Sequence, residues 1–179
     1  MNKIATRNSG GAAMLRRSHR FQSVVCLLLL LSLCPFQVRA NPSGASVVAG
    51  NVNFGGMGTA RLDINNLTNG GNGRTIINWQ SFSIQQGEVT SVNQGANGFT
   101  LNRIVSGNPT AIHGQLKAAQ GGVAVINPNG IVVHQGGSVD VAGILTLSTL
   151  DVSNKDFLNG GAMRFRGTTA AGVRNYGAV

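Results

Sequence analysis

From residue 41 onward the sequence predicts an all-β fold, a succession of short strands and tight turns. The segment holds 24 glycines and 17 asparagines with no long charged block. Between this Gly/Asn punctuation, apolar runs rich in β-branched residues recur at a spacing of about eight residues, too short for successive helices. The runs fall at 46–52, 62–67, 75–79, 82–84, 88–92, 99–105, 112–116, 122–126, 131–134, 139–150 and 163–165. Such spacing suits either a sandwich of hairpins or a coil of parallel strands. The third observation leans toward the coil. A sandwich strand with one wet face alternates apolar and polar residues, whereas Val123-Ala124-Val125-Ile126 and Ile131-Val132-Val133 are apolar on both parities.

Each element follows from that reading. A strand apolar on both parities fills a coil interior with one set of side chains and needs an extruded hairpin or neighbouring strand over the other. Two similar segments, Ile112-His113-Gly114 and Val133-His134-Gln135, lie 21 residues apart, near the length of a rung made of three short strands and their turns. One helical turn is expected at 153–158, where Ser153 or Asn154 can cap and Gly160 can stop it. The chain closes on Ala178-Val179 without a polar capping element, so it is expected to be the opening portion of a longer chain or a truncated gene product, since solenoids cover their last rung.

Residues 1–40 have a different character. Lys3, Arg7, Arg16, Arg17 and Arg20 form a basic stretch without acids, an apolar run from residue 24 to 33 follows, and Val38-Arg39-Ala40 places small residues at the −3 and −1 positions of a peptidase site. The segment is expected to be a signal peptide cleaved between Ala40 and Asn41, leaving 41–179 as one domain. A bilayer span needs about 20 apolar residues, and this run has ten. A lipoprotein signal at Cys34 is disfavoured because Leu33 is too large for the position before the modified cysteine.

Dividing the charge by segment removes the nucleic-acid reading. The chain carries +9, but six of its 14 basic residues precede the cut. The remainder sets eight basic side chains against five acids, a surplus of three, scattered singly and with one Trp and one Tyr in the whole chain. Neither a phosphate-tracking stripe nor a stacking platform is present. Both cysteines, Cys26 and Cys34, also precede residue 41, so the mature segment has neither disulfide nor thiolate chemistry. That suits a chain exported into an oxidising compartment, where free cysteines would cross-link.

The blocks Ile76-Ile77-Asn78-Trp79-Gln80-Ser81-Phe82-Ser83-Ile84, Leu101-Asn102-Arg103-Ile104 and Gly122-Val123-Ala124-Val125-Ile126-Asn127-Pro128-Asn129-Gly130-Ile131 occur in that order. Val139-Asp140-Val141-Ala142-Gly143-Ile144-Leu145 and Ser148-Thr149-Leu150-Asp151-Val152-Ser153-Asn154 follow, then Phe157-Leu158-Asn159-Gly160. Together, over about residues 44–160, this resembles the haemagglutination-activity, or two-partner secretion, domain of filamentous haemagglutinin and related adhesins. The resemblance implies a right-handed parallel β-helix (solenoid), recognised by the periplasmic receptor domains of an outer-membrane transporter. It also implies export to the cell surface or the extracellular space, with adhesion to a host surface belonging to a region downstream. An Asn-Pro-Asn-Leu motif of some members is absent, and Asn102-Arg103 stands in the neighbouring block without an assigned role.

Asn127-Pro128-Asn129-Gly130 is the main candidate site. As a turn it needs no partner: Pro presets φ at the second position, Asn tolerates the third and Gly suits the fourth. A rung-defining turn is therefore the first reading and direct transporter contact the second. Trp79 and Phe82 read as core packing rather than an exposed recognition pair. His113 and His134 can stack one rung apart, but no Cys, Asp or Glu sits beside them at ligand spacing, so they read as surface histidines. No metal or cofactor is expected. The only acids after residue 40, Asp63, Glu88, Asp140, Asp151 and Asp156, would have to converge in pairs for glycoside or lyase chemistry. A non-enzymatic domain is the reading, with a stand-alone cell- or carbohydrate-binding adhesin as the alternative.

Overall fold

A computed structural model describes residues 41–68 and 73–179. The expected signal peptide, with Ala40, lies outside the described residues.

The apolar runs fold into three sheets, parallel from rung to rung, wound as a β-helix. The first sheet contains β2 (Val52–Gly55), β3 (Arg61–Asn66), β5 (Val89–Asn93), β8 (Gln115–Ala118) and β11 (Ser138–Val141). The second contains β1 (Ser46–Ala49), β4 (Arg74–Trp79), β6 (Phe99–Ile104), β9 (Gly122–Ile126) and β12 (Leu145–Ser148). The third and shortest contains β7 (Thr110–Ile112), β10 (Ile131–Val133) and β15 (Val173–Asn175). Successive rungs stack in register, Leu116 beside Val139, Val123 beside Leu145 and Ile112 beside Val133, steps of 23, 22 and 21 residues. The paired Ile-His and Val-His segments are therefore one rung apart, as their offset predicts.

The wound strands send one parity inward. Leu62, Ile64, Leu116 and Val139 from the first sheet meet Ile77, Trp79, Val123 and Val125 from the second and Ile112, Ile131 and Val133 from the third in one core. Trp79 and Phe82 are buried there edge to face, with ring centroids 5.6 Å apart. Full burial of each such aliphatic side chain stabilises the fold by about 1.5–3 kcal/mol.

Three predicted runs divide where a glycine bends the chain. Residues 112–116 end β7 and begin β8 around Gly114, whose position is crowded by the backbone carbonyls of Gln85 and Glu88, so a side chain has no room. Residues 139–150 divide at Gly143 into β11 and β12, and 46–52 at Gly50 into β1 and β2. Residues 82–84 form no strand but contribute a single bridge, Ile84 to Ile112, because the third sheet is only just entered there.

The first rung is covered by antiparallel pairing, β1 on β4 and β2 on β3, so that each of these two sheets ends on a short four-residue strand rather than on a six-residue rung strand. Between β12 and β15 the chain leaves the coil as β13 (Asp151–Val152), α1 (Asn154–Asn159) and β14 (Phe165–Arg166), the two strands pairing antiparallel. Ser153 caps α1 by accepting from the Asp156 N–H at 3.0 Å, and Gly160 ends it in the left-handed conformation at φ 74°. This excursion lies on the outward parity of the second sheet, where Val152 and Phe157 bury Ile76, Phe99, Leu101, Ala124 and Ile126 in a second core. The two-sided apolar run of β9 thus has both coverings the sequence calls for, whereas Val132, on the outward parity of β10, stays half-buried.

Candidate recognition and folding site

Residues 127–130 join β9 to β10, and the polar groups of the turn are divided between bonds that close it and bonds to the neighbouring rungs. Asn127 is fully buried. Its Nδ2 donates to the Asn108 carbonyl and to Thr110 Oγ1, both at 2.9 Å, on the preceding rung. Its Oδ1 accepts from the Asn129 N–H at 2.9 Å, closing the turn from inside, and the Gly130 N–H reaches the Asn127 carbonyl at 3.1 Å. The Asn127 N–H donates to the Ser148 carbonyl on the following rung at 2.9 Å. Asn129 Nδ2 donates to the Ser106 carbonyl at 2.8 Å, and the Pro128 carbonyl accepts from Thr169 Oγ1 at 2.7 Å.

The glycine is required by conformation rather than by space. Gly130 has φ 107°, where side chains are rarely found, yet a Cβ there would lie 3.5 Å from its nearest neighbours. Only Pro128 and Asn129 of the four are exposed.

Asn102 and Arg103 are adjacent in β6 and therefore point to opposite faces. Asn102 lies inside the coil, fully buried, accepting from Trp79 Nε1 at 3.0 Å and donating to the Ala124 carbonyl at 3.3 Å. Arg103 points outward and clamps the excursion. Its Nε meets Asp151 Oδ1 at 2.8 Å, Nη1 the Asn154 Oδ1 at 2.8 Å and Nη2 the Val152 carbonyl at 2.7 Å. The two residues share a motif in the sequence and no site in the fold. Arg103 pairs in register with Ile126, so both candidate motifs reach the same end of the second sheet.

Three further positions matter, of which Arg74 and Asn66 carry no sequence signal and Asn41 figures in the sequence only as the residue after the expected cleavage. Arg74 donates to the Phe157 carbonyl at 2.9 Å and lies over the Phe99 and Phe157 rings at 5.0 Å from each centroid; burial lowers its pKa. Asn66 donates to the Gly73 carbonyl and to Thr100 and Gln94 and accepts from Thr75, tying β3, β4 and β6 at a corner. Asn41 is buried, donating to the Thr59 carbonyl at 2.6 Å and accepting from Thr90 Oγ1 at 3.0 Å. These contacts join residues 7 to 83 positions apart, which a local motif cannot announce.

The acids are engaged separately. Asp63 faces Arg61 at 3.6 Å and Asp151 takes Arg103, while Glu88 is buried and accepts from the Gln85 N–H. Asp63 and Asp140 share a row of the first sheet three strand spacings apart, about 14 Å.

Solved and curated proteins are similar to this chain. The crystal structure of the HMW1 secretion domain from Haemophilus influenzae matches with a TM-score of 0.66 and 30% identity, over 76% of this chain and 36% of that one. Two Haemophilus influenzae sequences named heme/hemopexin-binding protein are each 38% identical, one over 104 residues, 58% of this chain, and the other over 76 residues, 42% of it. The aligned segments are 11% and 8% of those relatives' own length. The family model described as TPS secretion domain matches residues 39–176, which include the whole coil, the excursion and both motifs. Because that match runs through every rung, the chain belongs to the two-partner secretion (TPS) domains, a family of non-enzymatic secretion domains.

Proposed function

We propose that this domain is the export address and folding nucleus of a filamentous-haemagglutinin-like exoprotein. An outer-membrane transporter takes it up through periplasmic receptor domains and passes it to the cell surface or medium. The observation that carries the reading is the turn at residues 127–130, bonded to the rung before it and the rung after it. A turn built this way sets rung register, and a coil whose first rungs are set can add further rungs against them. The absence of cysteine after residue 34 supports passage as an unfolded chain. Cleavage between Ala40 and Asn41 is part of the same reading, supported by Asn41 being tied to Thr59 and Thr90 in the first rungs. Host-surface binding is assigned to sequence of the kind that makes the curated relatives so much longer.

Gly130→Val tests the proposal. A β-branched residue at φ 107° strains the turn, so secretion is expected to fall with a loss of roughly 1–3 kcal/mol in stability. Lost binding to the transporter's periplasmic part at unchanged thermal stability would instead make the turn a direct contact. Unchanged secretion, stability and binding would remove both roles.

A further inference from the structure

Asn-Gly pairs stand at 69–70, 72–73, 97–98, 129–130 and 159–160. In this dipeptide the glycine nitrogen, with no side chain to hinder its approach, can reach the side-chain amide carbon of the asparagine. Asn69, Gly70 and Asn72 lie outside the described residues. Among the three described pairs the fold treats Asn129-Gly130 differently. The Gly130 N–H, the attacking group, is buried and donates to the Asn127 carbonyl at 3.1 Å. Asn129 Nδ2, the leaving group, donates to the Ser106 carbonyl at 2.8 Å and to Asn127 Oδ1 at 3.2 Å. At the exposed Asn97 and Asn159 the bonds fall on the attacking nitrogen, Gly98 N–H on the Gly95 carbonyl at 2.8 Å and Gly160 N–H on the Phe157 carbonyl at 3.4 Å.

We propose that Asn129 is a deamidation site gated by folding, open to self-modification in the unfolded chain and locked once the turn closes on its neighbours. In the unfolded chain the Gly130 nitrogen gives its proton to solvent base and bonds to Asn129 Cγ. The Cγ–Nδ2 bond breaks, ammonia leaves, and a cyclic succinimide results. Water adds to one of its two carbonyls, and the ring opens to an aspartyl or an isoaspartyl residue at position 129. No electrons are exchanged, and water is the only co-reactant. Asn127 is exempt because Pro128 has no N–H to attack with. In the folded coil the reaction needs both groups released together, which requires local opening of the turn. The product matters to the fold. An aspartyl side chain has no Nδ2 for the Ser106 carbonyl and sets a carboxylate oxygen against that carbonyl and against Asn127 Oδ1. The isoaspartyl form also lengthens the main chain between β9 and β10, strands fixed in register on β6 and β7. Neither product closes the turn, so time spent unfolded removes chains from the pool able to fold. The chemistry belongs to the chain alone and does not require the export reading.

The test holds the tag-free full chain at mildly alkaline pH in heavy-oxygen water, folded in buffer or unfolded in guanidinium chloride with a thiol reductant. The heavy oxygen marks acid formed during the hold. Trypsin then places the three described sites in separate peptides, 75–103, 118–155 and 156–164, for mass spectrometry. Asn97 and Asn159 are internal references that correct for the effect of denaturant on the chemistry. In the unfolded chain Asn129 should convert within about twofold of both references, since no native turn distinguishes it there. In the folded chain it should fall behind them by about tenfold or more. An unfolded chain that is aged, then diluted from denaturant, should leave its acid forms at position 129 in the fraction that fails to refold. Three results overturn the proposal. They are an Asn129 rate, relative to the references, that folding leaves unchanged, an Asn129 that stays intact in denaturant while the references convert, and acid forms that refold as completely as the amide.

Discussion

The outward faces of the first and second sheets have the same backbone geometry and opposite fates. In the first, residues alternate: buried Leu116 and Ala118 flank exposed Lys117, and buried Val139 precedes exposed Asp140. Its outer rows are polar, Asn53, Asn65 and Asn93 bonding side chain to side chain across β2, β3 and β5. In the second, Ile76, Leu101, Ala124 and Ile126 point outward and are as buried as the coil interior, because the excursion from β13 to β14 lies over them. A solenoid face can thus be finished by polar residues or by a detour of the chain. The parity pattern of β9 selects the second solution, since a strip of apolar side chains left in water forfeits about 25 cal/mol for each square ångström that could be buried.

The largest test of this difference is Phe157→Ala. Phe157 is fully buried under Phe99, ring centroids 5.2 Å apart, with the Arg74 guanidinium on its face. A loss of about 3–5 kcal/mol is expected, read by urea unfolding, with amide exchange rising in β6 and β9 as their cover loosens. If exchange rises in α1 alone, the excursion is an ornament and the covered face does not need it.

Next in size is a matched pair of arginines. Arg103 makes three charged hydrogen bonds with its side chain 13% exposed, whereas Arg61, 69% exposed, faces Asp63 at 3.6 Å. Arg103→Met should cost about 2 kcal/mol, and Arg61→Met at most about 0.5 kcal/mol, since exposed pairs contribute little. Equal losses would show that the clamp on the excursion is no stronger than a surface contact.

What the sequence reveals of these faces follows from how local each signal is. Strand parity is local, so the inward set Val123, Val125, Ile131 and Val133 and the need for an outer cover are legible. Turn chemistry is local too: Asn127, Pro128 and Gly130 form the turn their types predict, and Ser153 and Gly160 bound the helix. The identity of the cover is not local, because Arg74 meets Phe157 across 83 positions. Neither is the division of labour between Asn102 and Arg103, which the sequence presents as one block and strand parity sends to opposite faces. The glycine bends at Gly114 and Gly143 were missed because carbonyls of the neighbouring rung set the crowding there, and those come from residues a full turn away.

The smallest effect belongs on the bare face, at Lys117. It sits in β8 between Ser91 of β5 and Asp140 of β11, all in one outward row. Its neighbour Asp140 is exposed and of opposite charge, and cross-strand pairs of that kind contribute a few tenths of a kcal/mol. That attraction is screened over about 10 Å at 0.1 M salt. Lys117→Ala should therefore destabilise the domain by no more than about 0.5 kcal/mol, and the difference from wild type should shrink as salt is raised. The measurement is urea unfolding at low and high NaCl. A salt-independent loss above about 1 kcal/mol would mean that the Lys117 stem is packed rather than solvated, and that the first sheet, like the second, depends on a cover over its outward side chains.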